Sequence, residues 1–180
     1  MKPITELIAV DLEMTGLQVK TDRILEIGAV RLCQGRIVDT FQTFVNPHRK
    51  IDARITELTG ITPEMVADAP EAGEALQKFL AFEKDAPLLG HNVIFDYGFL
   101  KQQAVNQGIT WNREAIDTLK IARKVLKEPE KKSLESLCEY FHIRREHAHR
   151  AVDDAKATAE LFLLLQDAYQ EKDPGLFVPK

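Results

Sequence analysis

Asp11 and Glu13, in the stretch DLEMTG, are two carboxylates separated by one residue and preceded by the apolar run LIAV. On a strand, residues i and i+2 share a face, roughly 6.5–7 Å apart. The two acids therefore project together from the end of a buried strand, where they repel each other and lose solvation. A cation between them relieves both costs, and hard oxygen ligands suit Mg2+ or Mn2+ rather than zinc. A second site, HNVIFDYGFL, sets Asp96 among Val93, Ile94, Phe95, Tyr97 and Phe99. A carboxylate in that company needs a partner, a metal or a helix N-terminus.

A third stretch, HAHRAVDDAKATAELFLLL, holds His147, His149, Asp153 and Asp154 beside an apolar helix. His149 and Asp154 are five residues apart, about 140° round an ideal helix. They converge if His149 lies on the loop entering the helix and Asp154 in an early turn, which leaves Asp153 free to point to solvent. Taken singly, each stretch also reads as solvated acids. Together, four carboxylates and a histidine from separated places form the donor set that two divalent cations about 3.5–4 Å apart require. Such a pair clamps the attacking and leaving oxygens of a phosphodiester, and a histidine near its neutral pKa can deprotonate a water.

The elements that must position these residues follow from periodicity and punctuation. ELIAVDLE begins as a strand covered on both faces. RILEIGAVRLCQG and RIVDTFQTFVNP read as a hairpin, with Gly35 at the turn and Pro47 ending the second strand. Asp52 and Gly60 bound a short helix, Thr62 and Pro63 start another, and PEAGEALQKFLAFEK carries a helical apolar stripe. APLLGHN returns to a strand, and IFDYGFLKQQAVNQG is a helix ended by Gly108. Asp117 and Ser133 are N-caps of two further helices, and a long amphipathic helix runs from about Ala151 to Tyr169. The order predicts an α/β layered fold: a mixed β-sheet, mixed because of the hairpin, flanked by helices. Residues 1–170 are expected to form one domain, and residues 171–180, with Pro174 and Gly175, an irregular tail.

The 180 residues are enough to bury a core without disulfides. A net charge of −4 argues against long non-specific coating of DNA, though not against a local basic groove. Cys33 and Cys138 sit in apolar stretches and read as buried free thiols, which suits a reducing compartment. Pro3 and Glu6 interrupt the N-terminal stretch, so no secretory pattern is expected, and no apolar run reaches the roughly 18 residues of a membrane span. The expected setting is cytoplasmic, without a membrane partner.

DLEMTG, HNVIFDYGFL and HRAVDDA, in this order and spacing, resemble the DEDD-h superfamily of 3′-to-5′ exonucleases. Within it the chain is most similar to the proofreading, epsilon-type exonucleases of bacterial replicative DNA polymerases. The segments FVNPHRKIDARITELTGIT, DTLKIARKVL and SLESLCEYF add to that likeness, which runs from about Leu7 to Leu165. The resemblance implies a ribonuclease H-like fold, two Mg2+ (or Mn2+) ions, and Asp11, Glu13, Asp96 and Asp154 as their ligands. It implies His149 as general base, because the family places its histidine five residues before the last aspartate. His147 and Asp153 are out of that register. The implied reaction removes nucleoside monophosphates from a DNA 3′ end, single-stranded or frayed, with a DNA polymerase subunit as a further expected partner. Met14 stands where the commoner family form has threonine, and DLEMTG is what oligoribonucleases carry, so short RNA is the alternative substrate. A non-catalytic module binding nucleic acid or a polymerase is the alternative of another class; retention of all five residues argues against it.

By position, Met14, Thr15 and Leu17 could pack against the terminal base and sugar, and family members use an apolar residue at the Leu17 position as a wedge. Asn92 and Phe95 are further candidates for the cleft. Basic residues cluster at 120–132 and at 144–150. The second cluster, with Arg144, Arg145 and Arg150, adjoins His149 and is expected to steer phosphates. The first reads equally as a solvated helix face.

Overall fold

The computed structural model describes residues 6–180. Pro3, invoked above against a secretory pattern, lies outside them. Five strands form one sheet in the order β3-β2-β1-β4-β5. They are β1 (Glu6–Met14), β2 (Ile24–Cys33), β3 (Arg36–Phe44), β4 (Leu88–Gly90) and β5 (Ala115–Asp117). The first three pair antiparallel, and β1, β4 and β5 run parallel. The predicted hairpin turns at Gln34 and Gly35, both at positive φ (48° and 75°), as a two-residue turn between twisted strands requires.

The helices are α1 (Ala53–Thr59), α2 (Pro63–Ala67), α3 (Ala72–Glu83), α4 (Ile94–Asn106), α5 (Thr118–Val125), α6 (Leu134–Phe141) and α7 (Ala151–Tyr169). Asp52, Thr62, Asp117 and Ser133 each accept a backbone N–H at the start of the helix they were expected to cap. The strand β5 was not anticipated. It is three residues long, too short for an alternation to be read, and it ends in the residue that caps α5.

Alternation along β1 sorts its side chains into two layers. Leu7 and Ala9 join the core beneath α5, α6 and α7, whereas Ile8, Val10 and Leu12 join the core beneath α3 and α4. Residues 11 and 13 continue the α7 side, so the face turns from apolar to acidic just where β1 ends. A third cluster, with Leu25, Ile51, Ile61 and Val66, seats α1 and α2.

The C-terminal stretch is more ordered than an irregular tail. Pro174–Phe177 is a 3-10 turn, Phe177 is buried, and the Lys180 backbone exchanges two hydrogen bonds with Ala115 on the β5 edge. Of the two thiols, Cys138 is buried but Cys33 only half-buried; both are free. No helix of the described residues is long and apolar enough to cross a membrane.

Candidate active site

The site is built where α7 meets the end of β1. Asp11 lies opposite Gly28 in the ladder, and Glu13 opposite Glu26. A Cβ on Gly28 would overlap Val152 N and Ala151 C. Only glycine lets the first turn of α7 rest directly on the sheet. Glu26, fully buried in β2, accepts the Ala151 N–H and pairs with Arg150, whose Nη2 lies 2.8 Å from Oε2. Phe44 stacks under that guanidinium, 5.1 Å away. Glu26 thus fixes the start of α7 to the sheet, and Asp154 arrives above Asp11 and Glu13. Carboxylate oxygens of Asp11, Glu13 and Asp154 all lie within 4.8 Å of one another.

Asp96 joins from the opposite layer and lies beside that trio rather than in it. Its Oδ1 accepts the Leu12 N–H at 2.9 Å. The Ile8 N–H bonds towards Pro87 on the β4 side, and by the strand period the Leu12 N–H faces the same way. Because β4 pairs with β1 only at Ile8 and Ala9, Asp96 supplies the acceptor that β4 no longer provides.

His149 lies on the loop entering α7, at φ 62°. Its backbone N–H donates to Asp154 Oδ2 at 3.1 Å, while Arg145 Nη1 donates to Oδ1 at 2.9 Å. The condition for convergence of His149 with Asp154 is therefore met. Asp153 does not point freely to solvent: it accepts the His147 N–H at 3.1 Å, so successive acids pin the entering loop.

The electrostatics are those of crowded, desolvated carboxylates. Burial, then the charges of Asp96, Glu13 and Asp154, push Asp11 well above the usual carboxylate range. Burial followed by Asp154 and Glu26 raises Glu13 to about 9. Burial raises Asp96 to about 7, against the pull of the Leu12 hydrogen bond. Asp154 is raised by burial despite Arg145. A cluster of oxygen donors that resists ionising alone fits a divalent cation on chemical grounds, as bound positive charge stabilises all the ionised forms together.

The residues expected to grip substrate are scattered. Thr15 lines a cavity of about 580 Å³ with Ile55 and Leu58 of α1 and with Asp52, Arg54 and Glu57. Sequence reasoning missed Ile55 and Leu58; the signal was an apolar pair three residues apart on a short helix, of which Ile55 is half-buried and Leu58 exposed. Met14 is half-buried and packs on the core. Leu17 and Phe95 are exposed, and Asn92 lines a different cavity. Of the basic cluster at 144–150, Arg145 and Arg150 are held by Asp154 and Glu26, which leaves Arg144, exposed and without an ion pair among the described residues, as its free arginine. Glu26 itself went unremarked in the sequence; a lone acid inside RILEIGAV was its only trace.

Solved structures share this fold. The nuclease domain of 3′hExo, a DEDDh family member, superposes with a TM-score of 0.81 at 21% identity, covering 99% of this chain and 98% of that one. Exonuclease X, solved with 5′ overhanging duplex DNA, gives a TM-score of 0.74 at 27% identity, covering 91% and 92%. The architecture is the ribonuclease H-like fold of DEDDh exonucleases. Residues 8–162 match the model of the RNase_T family, described as Exonuclease, and the chain belongs to that family. The DNA polymerase III PolC-type of Caldanaerobacter subterraneus subsp. tengcongensis is 46% identical over 166 residues, 92% of this chain and 12% of that protein. Its Bacillus subtilis counterpart is 38% identical over 167 residues, 91% of this chain and again 12% of the relative. The chain thus spans about an eighth of the length of these relatives.

Proposed function

We propose that the chain hydrolyses the terminal phosphodiester at a DNA 3′ end, single-stranded or frayed, and releases nucleoside 5′-monophosphates. The observation that carries this reading is the convergence of Asp11, Glu13 and Asp154 beneath the loop that presents His149. Asp11, Glu13, Asp96 and Asp154 would hold two divalent cations, Mg2+ or Mn2+, whose bound charge neutralises the phosphate and stabilises the leaving oxygen. His149 takes the proton of the attacking water. The water oxygen bonds to phosphorus as the bond to the 3′ oxygen of the preceding nucleotide breaks, and that oxygen leaves as an alkoxide that takes a proton from solvent to become the new 3′ hydroxyl, while His149 returns its proton to solvent. The Thr15, Ile55 and Leu58 cavity, two residues beyond Glu13 along the chain, suits a terminal nucleoside held by apolar contact without reading its sequence.

The likeness to PolC-type polymerases supports DNA as the substrate and a polymerase subunit as the partner. Met14, which keeps short RNA as the alternative, packs on the core. Free thiols at Cys33 and Cys138 suit a cytoplasmic setting.

The test is degradation of labelled single-stranded DNA, frayed duplex and RNA two to five nucleotides long, with Mg2+ and with EDTA. Wild-type protein is expected to shorten DNA from its 3′ end only with metal, and Asp11→Ala to lose at least a hundredfold in rate, on the order of what an electrostatic site group supplies. Equal rates for Asp11→Ala and wild type would sink the assignment.

A further inference from the structure

The parallel strands β1, β4 and β5 end on one edge of the sheet, at Met14, Gly90 and Asp117. Ligands of open α/β sheets bind beyond such strand ends. The carboxylates occupy the β1 end. Beyond β4 and β5 lies a second cavity, of about 770 Å³, lined by His91 and Asn92 after β4, by α5 and by the loop leading to α6. Two strand spacings, roughly 10 Å, separate β1 from β5. That is a span of one or two nucleotides of extended strand.

The walls of this cavity divide by chemistry. Leu119, Leu126 and Leu134 form an apolar side, and Arg123 and Lys131 a cationic one. Both cations are exposed, and neither has an ion-pair partner among the described residues. Their neighbours are committed: Lys124 pairs with Asp173, and Lys132 Nζ caps the carbonyls of Lys127 and Pro129. Glu130 is the one acid in the lining, and it is exposed.

The floor is rigid. The His91 ring is braced between Thr118 Oγ1 at 2.9 Å and the Lys132 carbonyl at 2.8 Å. The Asn92 N–H donates to Asp117 Oδ1 at 2.9 Å with Asn92 at φ 60°. Its side-chain amide has no hydrogen-bond partner among the described residues, and it stands four residues before Asp96.

We propose that this cavity is the subsite for the nucleotides immediately upstream of the scissile bond. The leucine wall takes a base, Arg123 and Lys131 take the phosphates, and the Asn92 amide bridges the subsite to the carboxylate cluster. The proposal rests on the exonuclease reading and extends it from the terminal nucleotide to the strand behind it. Apolar contact and phosphate pairing carry no base code, so binding there is sequence-tolerant.

The experiment compares wild type with the Arg123→Ala/Lys131→Ala double variant on two probes. The p-nitrophenyl ester of thymidine 5′-monophosphate has no upstream nucleotide; 3′-labelled DNA oligonucleotides of two to twelve residues do. The ester is expected to be hydrolysed with unchanged kcat and KM. The oligonucleotide KM is expected to rise about tenfold at constant kcat, and its log–log salt dependence to become shallower by about 1.4, two phosphate contacts at about 0.7 each. The charge-preserving pair Arg123→Lys/Lys131→Arg is expected to restore most of the loss. An oligonucleotide KM and salt slope equal to wild type, with the ester still cleaved, overturn the subsite and leave the exonuclease reading intact. Equal losses on both probes also overturn it, because the two residues would then act at the chemistry. A wild-type protein inert on both probes overturns the exonuclease reading and the subsite with it.

Discussion

At the scale of single residues, His149 is set by its backbone while its ring is free to act. The φ of 62° and the N–H bond to Asp154 place the residue, and the ring has no hydrogen-bond partner among the described residues. The informative substitution is His149→Asn, because asparagine tolerates the left-handed region and keeps the backbone bond. Its kcat is expected to fall about 10²–10⁴-fold, the range of a general base, with an unchanged melting temperature. A single-turnover rate and a thermal melt read the two quantities separately. The carboxylates make a second prediction with a definite sign. Folding raises Glu13 from its ordinary 4.5 to about 9 and Asp96 from 3.8 to about 7. A group raised by folding contributes stability that is complete below its unfolded value and is lost as pH climbs through its folded value. In EDTA the protein is therefore expected to lose stability from pH 4 towards pH 9. Glu13→Gln should make the decline shallower between about pH 4.5 and 9, and Mg2+ should flatten the whole profile by holding the carboxylates ionised. Urea melts across that range, with and without metal, check all three slopes.

At the scale of elements, the site depends on how closely α7 approaches the sheet. Gly28→Ala forces backbone apart rather than a flexible side chain. It is expected to cost on the order of 1–3 kcal/mol and to lower activity more than stability, because it lifts Asp154 away from Asp11. Glu26→Ala removes one partner of a buried pair and strands Arg150, at a cost of about 3–5 kcal/mol; Glu26→Gln, which still accepts the Ala151 N–H, should lose less. Urea unfolding beside a nuclease assay separates these effects. Much of this layer was legible in the sequence. Asp52, Thr62, Asp117 and Ser133 announce helix starts because a short polar side chain before an apolar stripe has few other uses. Asp11, Glu13 and Asp154 were legible as acids in apolar settings, where ionisation needs a reason. What escaped depended on contacts between distant elements. Strand β5 is defined by its partner rather than its own pattern. The importance of Gly28 comes from α7, more than 120 residues later. The commitment of Arg145 and Arg150 appears only once their buried acids are placed.

At the scale of the whole molecule, α7 links the site at one end to the C-terminal segment at the other. Asp154 lies in its first turn, whereas Phe162 packs against Phe177 with ring centroids 6.0 Å apart. Eight residues of helix separate the two positions, about 12 Å along its axis. Phe177 is only 1% exposed, and beyond it the Lys180 backbone closes the edge of β5. The segment therefore belongs to the core that holds α7 and covers a strand edge that would otherwise offer unpaired backbone groups. Phe177→Ala removes a ring from that core without touching a residue of the carboxylate site. The expected loss is about 3–5 kcal/mol of stability, seen as a lower urea midpoint. The turnover rate on single-stranded DNA should equal that of wild type wherever the variant is still folded, because the first turn of α7 is held independently by Glu26 and by the seat on Gly28. If turnover fell while the urea midpoint held, the far end of α7 would be coupled to the chemistry, and the division of that helix into a catalytic and a supporting half would be wrong.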